Sequence, residues 1–102
     1  MEGKLNNIKS GFSGYMARRG YELVEERNYP EAFGSWYIVY KNDSRFIRLV
    51  WDGKDCEIII EESEASVATT VSWKNIVNYT LKADLPAPAI EEIESILEKS
   101  IF

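Results

Sequence analysis

Arg45–Ile60, RFIRLVWDGKDCEIII, places apolar runs on either side of Asp52-Gly53, and how the two runs pair decides what the protein buries. Side chains alternate across a strand, so a slip of one residue turns a whole face over. A two-residue type I′ turn at Asp52-Gly53 sets Trp51 against Lys54, Leu49 against Cys56, Ile47 against Ile58 and Arg45 against Ile60. That gathers the large apolar groups on one face. A three-residue loop would oppose Leu49 to Asp55 and Ile47 to Glu57, and burial worth about 1.5–3 kcal/mol per large apolar side chain resists that mixture. A four-residue loop also keeps the faces; the shorter turn is preferred because it sets Arg48 opposite Glu57.

The same turn at Asn42-Asp43 sets Ile38 against Ile47, Trp36 against Leu49, Val39 against Phe46 and Tyr37 against Arg48. The expected core face is Trp36, Ile38, Ile47, Leu49, Trp51, Cys56, Ile58 and Ile60. The opposite face then carries a transverse row, Tyr37–Arg48–Glu57. Val39–Phe46–Ile59 flanks it on one side and Ser35–Val50–Asp55 on the other.

Outward from this hairpin, residues 21–29, 35–41, 44–51 and 54–62 are rich in β-branched and aromatic residues and separated by short turns, which suits antiparallel neighbours. Before them, Leu5, Ile8, Phe12, Tyr15 and Met16 recur at helical spacing, and Gly20 follows Arg18 and Arg19 as a stop, predicting a helix over about 4–19. Gly11 and Gly14 weaken it by about 1 kcal/mol each, so packing must hold its apolar stripe. After Ser63 the spacing of Trp73, Ile76, Val77, Thr80 and Leu81 predicts a helix over about 72–82. That of Ile90, Ile93, Ile96 and Leu97 predicts another over about 88–99, beyond the LPAPA junction at 85–89. Glu91, Glu92 and Glu94 suit the positive end of that last helix. The expectation is one α+β domain over residues 1–102: an N-terminal helix, a four-stranded antiparallel meander and two C-terminal helices on one sheet face.

Composition narrows the chemistry. The chain has no histidine, which removes the usual zinc ligand and the commonest general base, and its single cysteine cannot form an intrachain disulfide. Neither a phosphate-binding glycine loop nor a continuous apolar leader is present, and a cytoplasmic protein is expected. Residues 1–54 carry 9 basic and 7 acidic groups, residues 55–102 carry 3 and 10. An acidic C-terminal half disfavours nucleic acid and favours basic partners.

Each reactive-looking group has a plainer role. Asp52 and Asp55 lack the further oxygen ligands of a calcium loop, and a turn accounts for Asp52-Gly53, so no metal is expected. Adjacent glutamates Glu61 and Glu62 point to opposite faces, which suits a charged strand end better than a catalytic pair. Cys56 is expected to face the core, inert. In YPEAFGSWY (29–37), Tyr29, Phe33 and Trp36 could serve a partner surface, but Phe33 is expected to plug the core edge, with Gly34 permitting the bend. No catalytic residue and no cofactor emerges.

The succession GYELVEE (20–26) and YPEAFGSWYIVYKNDSRFIRLVWDGKD (29–55) resembles a class of small bacterial proteins with a glycine-aromatic entry into the first strand. They also have a Phe-Gly connector and an arginine-bearing strand that ends in an aspartate turn. Proteins of this build are similar to immunity proteins of bacterial toxin systems. The resemblance covers about residues 12–55 and rests on Phe33, Gly34, Arg48 and Asp52; it implies a protein that binds and blocks a toxin, and no catalytic role.

The leading expectation is thus a non-enzymatic cytoplasmic binding protein, an immunity-like inhibitor of a partner protein, with Tyr37, Arg48, Glu57, Phe46 and Phe33 as binding residues. The alternative is a small-molecule binder or enzyme using the outer sheet face or a sheet–helix cleft. A homodimer burying Val39, Phe46 and Ile59 is the third.

Overall fold

A computed structural model of the chain describes residues 2–64, 73–82 and 88–100. Helix α1 (Glu2–Arg18) is followed by five strands and a second helix. The strands are β1 (Glu22–Tyr29), β2 (Ser35–Lys41), β3 (Arg45–Asp52), β4 (Glu57–Glu64) and β5 (Lys74–Thr80), and the second helix is α2 (Ile90–Ser100). The strands form one antiparallel sheet in the order β1-β2-β3-β4-β5. The class is α+β, as expected from the sequence, with one strand more and one helix fewer.

Helix α1 ends as its sequence predicts. Gly20 takes φ +81°, its amide donates to the Ala17 carbonyl, and the Tyr21 amide reaches back to the Met16 carbonyl, so a left-handed residue satisfies the last carbonyls. The predicted stripe Ile8, Phe12, Tyr15 and Met16 is buried against one sheet face, together with Ile93 and Leu97 of α2. Both helices therefore cover the same face. Ile96, expected on the apolar side of α2, is exposed instead.

The helices meet through a glycine. A methyl group at Gly11 would stand 3.0 Å from Ile90 Cγ1, so this residue, unfavourable for helix propensity, admits α2. Past that contact the Tyr15 hydroxyl donates to Glu98 Oε1 at 2.6 Å and Arg18 pairs with Glu94 at 2.9 Å. Arg19 also pairs with Glu98.

The expected helix over 72–82 is overturned: residues 74–80 are β5. Val77 lies opposite Ile60 and Tyr79 opposite Ile58, and the register shifts at Ile76. Ile76 and Val77 both meet the core, since a bulge lets two successive residues share a side. That adjacent apolar pair produced the helix-like spacing, in a run too short for periodicity alone to decide. A fifth strand also satisfies the second hydrogen-bonding edge of β4.

Both predicted turns shift by an even number of residues. Asn42 Oδ1 accepts the amides of Ser44 and Arg45, so the β2–β3 turn centres on Asp43-Ser44 and Ile38 faces Leu49. The β3–β4 loop is Gly53–Cys56, with Asp52 opposite Glu57 and Leu49 opposite Ile60. Asp52 Oδ1 accepts the Lys54 amide at 3.0 Å, and Cys56 closes the loop at φ +53°. This longer loop pairs all of Arg45–Asp52 with all of Glu57–Glu64. A two-residue turn would leave Glu61, Glu62, Ser63 and Glu64 beyond the end of β3, with their ladder groups unpaired.

Even shifts preserve the faces, so Ile38, Ile47, Leu49, Trp51, Ile58 and Ile60 are buried as expected. Trp36 is half-buried against the core; Cys56 sits in the loop, half-buried, and not on the core face. Among the described residues no helix is long and apolar enough to cross a membrane.

Gly53 is required by approach and not by a positive φ: a Cβ there would collide with the Phe33 carbonyl oxygen. Gly53→Ala should therefore lower stability by about 1–3 kcal/mol in urea unfolding, through overpacking of loop against loop. An unchanged urea midpoint would contradict this contact.

Candidate functional site: the helix-free sheet face

Arg48 projects from β3 on the face away from both helices. Its cross-strand neighbours are Val39 on β2 and Glu61 on β4, not Tyr37 and Glu57. Nε and Nη2 both donate to Glu61 Oε1, at 2.9 and 2.6 Å. The guanidinium carbon lies 4.2 Å from the Trp73 ring centroid and 5.5 Å from that of Tyr37. Tyr37 reaches it on the diagonal, because Tyr37 itself stands opposite Val50. Arg48 is thus held between two rings and anchored by a carboxylate, and each half-desolvated cation–π contact adds about 0.5–2 kcal/mol.

The cluster extends both ways across the sheet. Trp73 meets Phe46 edge-on at 6.4 Å, and Lys41 Nζ lies 5.6 Å from the Phe46 centroid. On the other side Tyr37 and Tyr29 rings are 6.1 Å apart. The Tyr37 hydroxyl donates to Glu25 Oε2 at 3.0 Å, and Arg27 Nε donates to the same oxygen at 2.9 Å. Between Tyr29, Ser35, Tyr37, Val50 and Ile59 lies a shallow depression of about 240 Å³.

Of the five residues named from sequence, Tyr37, Arg48 and Phe46 share this face and a chain of contacts. Glu57 does not join them: it stands opposite Asp52 at the far end of β4, and Asn78 Nδ2 donates to it at 3.4 Å. The expected Tyr37–Arg48–Glu57 row and its flanking rows are therefore corrected. Glu61 takes the place of Glu57 because the loop is longer. Val39 is buried, so it cannot be the exposed centre of a homodimer face.

Phe33 is not a plug. It is 69% exposed and holds φ +58° in the β1–β2 connector, ahead of Gly34 at φ +72°. A bulky residue in that region is strained, and the neighbouring loop maintains it. The Gly53 amide donates to Ser35 Oγ at 2.9 Å while the Gly53 backbone abuts the Phe33 carbonyl. Beside this junction, carboxylate oxygens of Asp52, Asp55 and Glu57 lie within 4.8 Å of one another. Asp52 Oδ1 accepts the amides of Lys54 and Asp55 within the four-residue loop.

The sequence reading does not name Trp73, Glu61 or Glu25 as binding residues, whereas Tyr29, offered there for a partner surface, does lie against Tyr37. Trp73 falls in the helix that the sequence predicts over about 72–82, and Glu61 depends on a register set by the loop. The β1 register is readable only from the structure: it is bulged between Leu23 and Glu25, which sends Glu25 to the Tyr37 side.

Burial, together with the hydrogen bond to Glu25, pushes the Tyr37 hydroxyl up to about 12, against an ordinary tyrosine value near 10. Hydrogen bonds from Arg27 and then Tyr37 hold the Glu25 carboxyl below its ordinary range. The folded state keeps the Tyr37 proton where the unfolded chain loses it. This stabilisation is complete below about pH 10 and disappears as pH rises toward 12. Thermal unfolding between pH 10 and 12 should therefore show a falling midpoint, with a shallower slope in Tyr37→Phe; equal slopes would remove this coupling.

Comparison of the chain with protein families, with curated proteins and with solved structures found no match, so the candidate site stands on its own geometry.

Proposed function

We propose that this chain is a non-enzymatic cytoplasmic binding protein, of the immunity-like inhibitor kind, whose helix-free sheet face meets a protein partner. The observation that carries the reading is the clamped Arg48, stacked between Tyr37 and Trp73 and tied to Glu61. Tyrosine, tryptophan and arginine dominate binding hot spots because they present large contact area at small ordering cost. Glu61 already neutralises Arg48, so the guanidinium supports a rigid aromatic platform instead of serving as a free anion receptor. The depression beside Val50 and Ile59 offers an apolar seat for a partner side chain.

Charge supports a basic partner. The acidic corner of Asp52, Asp55 and Glu57 borders the depression, and the whole chain carries a net charge of −5. Such a rim steers an oppositely charged surface and fixes its orientation more than it adds affinity. Phe33, 69% exposed and with its carbonyl against Gly53, presents an aromatic ring at the same end of the sheet.

Affinity purification from native cells tests this reading. Wild-type protein should recover a stoichiometric partner whose retention falls with salt. Ile59→Glu, on the helix-free face, should reduce recovery by tenfold or more, whereas Ile96→Glu, on exposed α2, should leave it unchanged. Recovery insensitive to Ile59→Glu would move the interface elsewhere. Sedimentation of the purified protein as a dimer that Ile59→Glu dissociates would assign the face to a second copy.

A further inference from the structure

We infer that the partner inserts a lysine side chain into the helix-free sheet face, its stem lying along Val50 and Ile59 and its ammonium reaching the carboxylates of Asp52, Asp55 and Glu57. The inference rests on the protein-binding reading of this face and specifies the residue that the partner brings to it.

The register sorts the face into rows. Tyr37, Val50 and Ile59 stand opposite one another across β2, β3 and β4, and the next row toward the β3–β4 loop pairs Asp52 with Glu57. Same-face residues along one strand are about 6.7 Å apart, so an apolar row adjoins an acidic one within the reach of a single long side chain. Val50 and Ile59 are half-buried, on the side of the sheet that faces away from both helices. The depression over them, walled by Tyr29 and Tyr37 and ending at Asp52, holds about 240 Å³. That is less than the roughly 300 Å³ at which small-molecule sites begin, and it suits one side chain.

Charge on the face is lopsided. Arg48 pairs with Glu61 and Arg27 with Glu25. Among the described residues, no lysine or arginine pairs with Asp52, Asp55 or Glu57. Glu57 receives the neutral Asn78 amide, and Asp52 Oδ1 receives loop amides, which leaves the negative charge of both uncompensated. The complement of this face is therefore a cation joined to an apolar stem.

Geometry selects lysine. Carboxylate oxygens of Asp52, Asp55 and Glu57 lie within 4.8 Å of one another. Three oxygens at that spacing surround a point about 2.8 Å from each, the length of a charge-assisted hydrogen bond. An ammonium directs three donors from one point, whereas a guanidinium spreads its donors in a planar fork that matches a single carboxylate. A bare divalent ion of the calcium kind calls for about six oxygens or more, and it would leave the Val50–Ile59 row uncovered. A lysine stem covers that row while its head stays in the acidic one.

Methyl NMR titration of the full chain tests this, with capped tripeptides that carry lysine, arginine or norleucine between two leucines. The lysine peptide should shift the Val50 and Ile59 methyl signals saturably in the millimolar range. It should bind about threefold or more tighter than the arginine peptide and about fivefold or more tighter than the norleucine one, the second gap closing in high salt. Asp52→Asn, which keeps the acceptor for the loop amides, and Glu57→Gln should each weaken the lysine peptide about threefold or more and leave the norleucine peptide unchanged. Glu92→Gln, the same loss of charge at an exposed position of α2, should change neither. Absence of saturable shifts, arginine or norleucine bound as tightly as lysine, or equal effects of the site variants and Glu92→Gln would overturn the inference. Such a failure beside partner recovery that still depends on Ile59 removes the lysine and keeps the interface; partner recovery insensitive to Ile59→Glu overturns both.

Discussion

The pairing of β3 with β4 along its whole length is the constraint on which the rest of the molecule depends. Leu49 against Ile60 and Trp51 against Ile58 make the centre of the buried face, and α1 and α2 are held there by Ile8, Phe12, Met16, Ile93 and Leu97. The same register fixes the other face. With Leu49 inward, Arg48 must point outward, and with Ile60 opposite Leu49, Glu61 must stand opposite Arg48. Core burial and the polar clamp are consequences of one alignment.

That clamp gives the helix-free face an unusual character. An outward arginine on a sheet is ordinarily solvated and mobile, and its ion pairs contribute little. Here two donors converge on one Glu61 oxygen while rings approach the guanidinium from two directions. Ordering costs already met within the fold are not incurred again on binding, and this is what makes the face a suitable platform. At the far end of the sheet, the Phe33 and Gly53 loops fix one another by backbone contact, so the exposed aromatic is likewise presented in one conformation.

The helix layer is organised by charge and by a missing side chain. Arg18 and Arg19, which suit the C-terminal dipole of α1, also find Glu94 and Glu98 one turn apart on α2. Gly11 lets Ile90 approach. These contacts draw α2 to one side of α1, and the groove above β1 remains on the other side. A residue weak for helix propensity thus sets where the second helix sits.

Much of this was legible in the sequence because it depends on short-range periodicity. Alternation alone turns Leu49, Ile47, Ile58 and Ile60 inward, spacing marks the stripe of α1, and Gly20 marks the helix stop. These features hold although the pairing differs from the predicted one, since a slip of two or four residues leaves inward side chains inward. What only the tertiary structure decided is which residue faces which across the strands: Glu61 and not Glu57 at Arg48, Trp73 above its guanidinium, Phe33 exposed and not buried. Loop length was settled by Asp52 bonding to loop amides and by the gain from pairing eight residues of β4, both outside the alternation pattern. The Ile76-Val77 pair became a bulge instead of a helix because β4 had an edge to satisfy. Alternation is local and therefore written in the chain, whereas hydrogen-bond partners between strands are chosen by the summed satisfaction of distant groups.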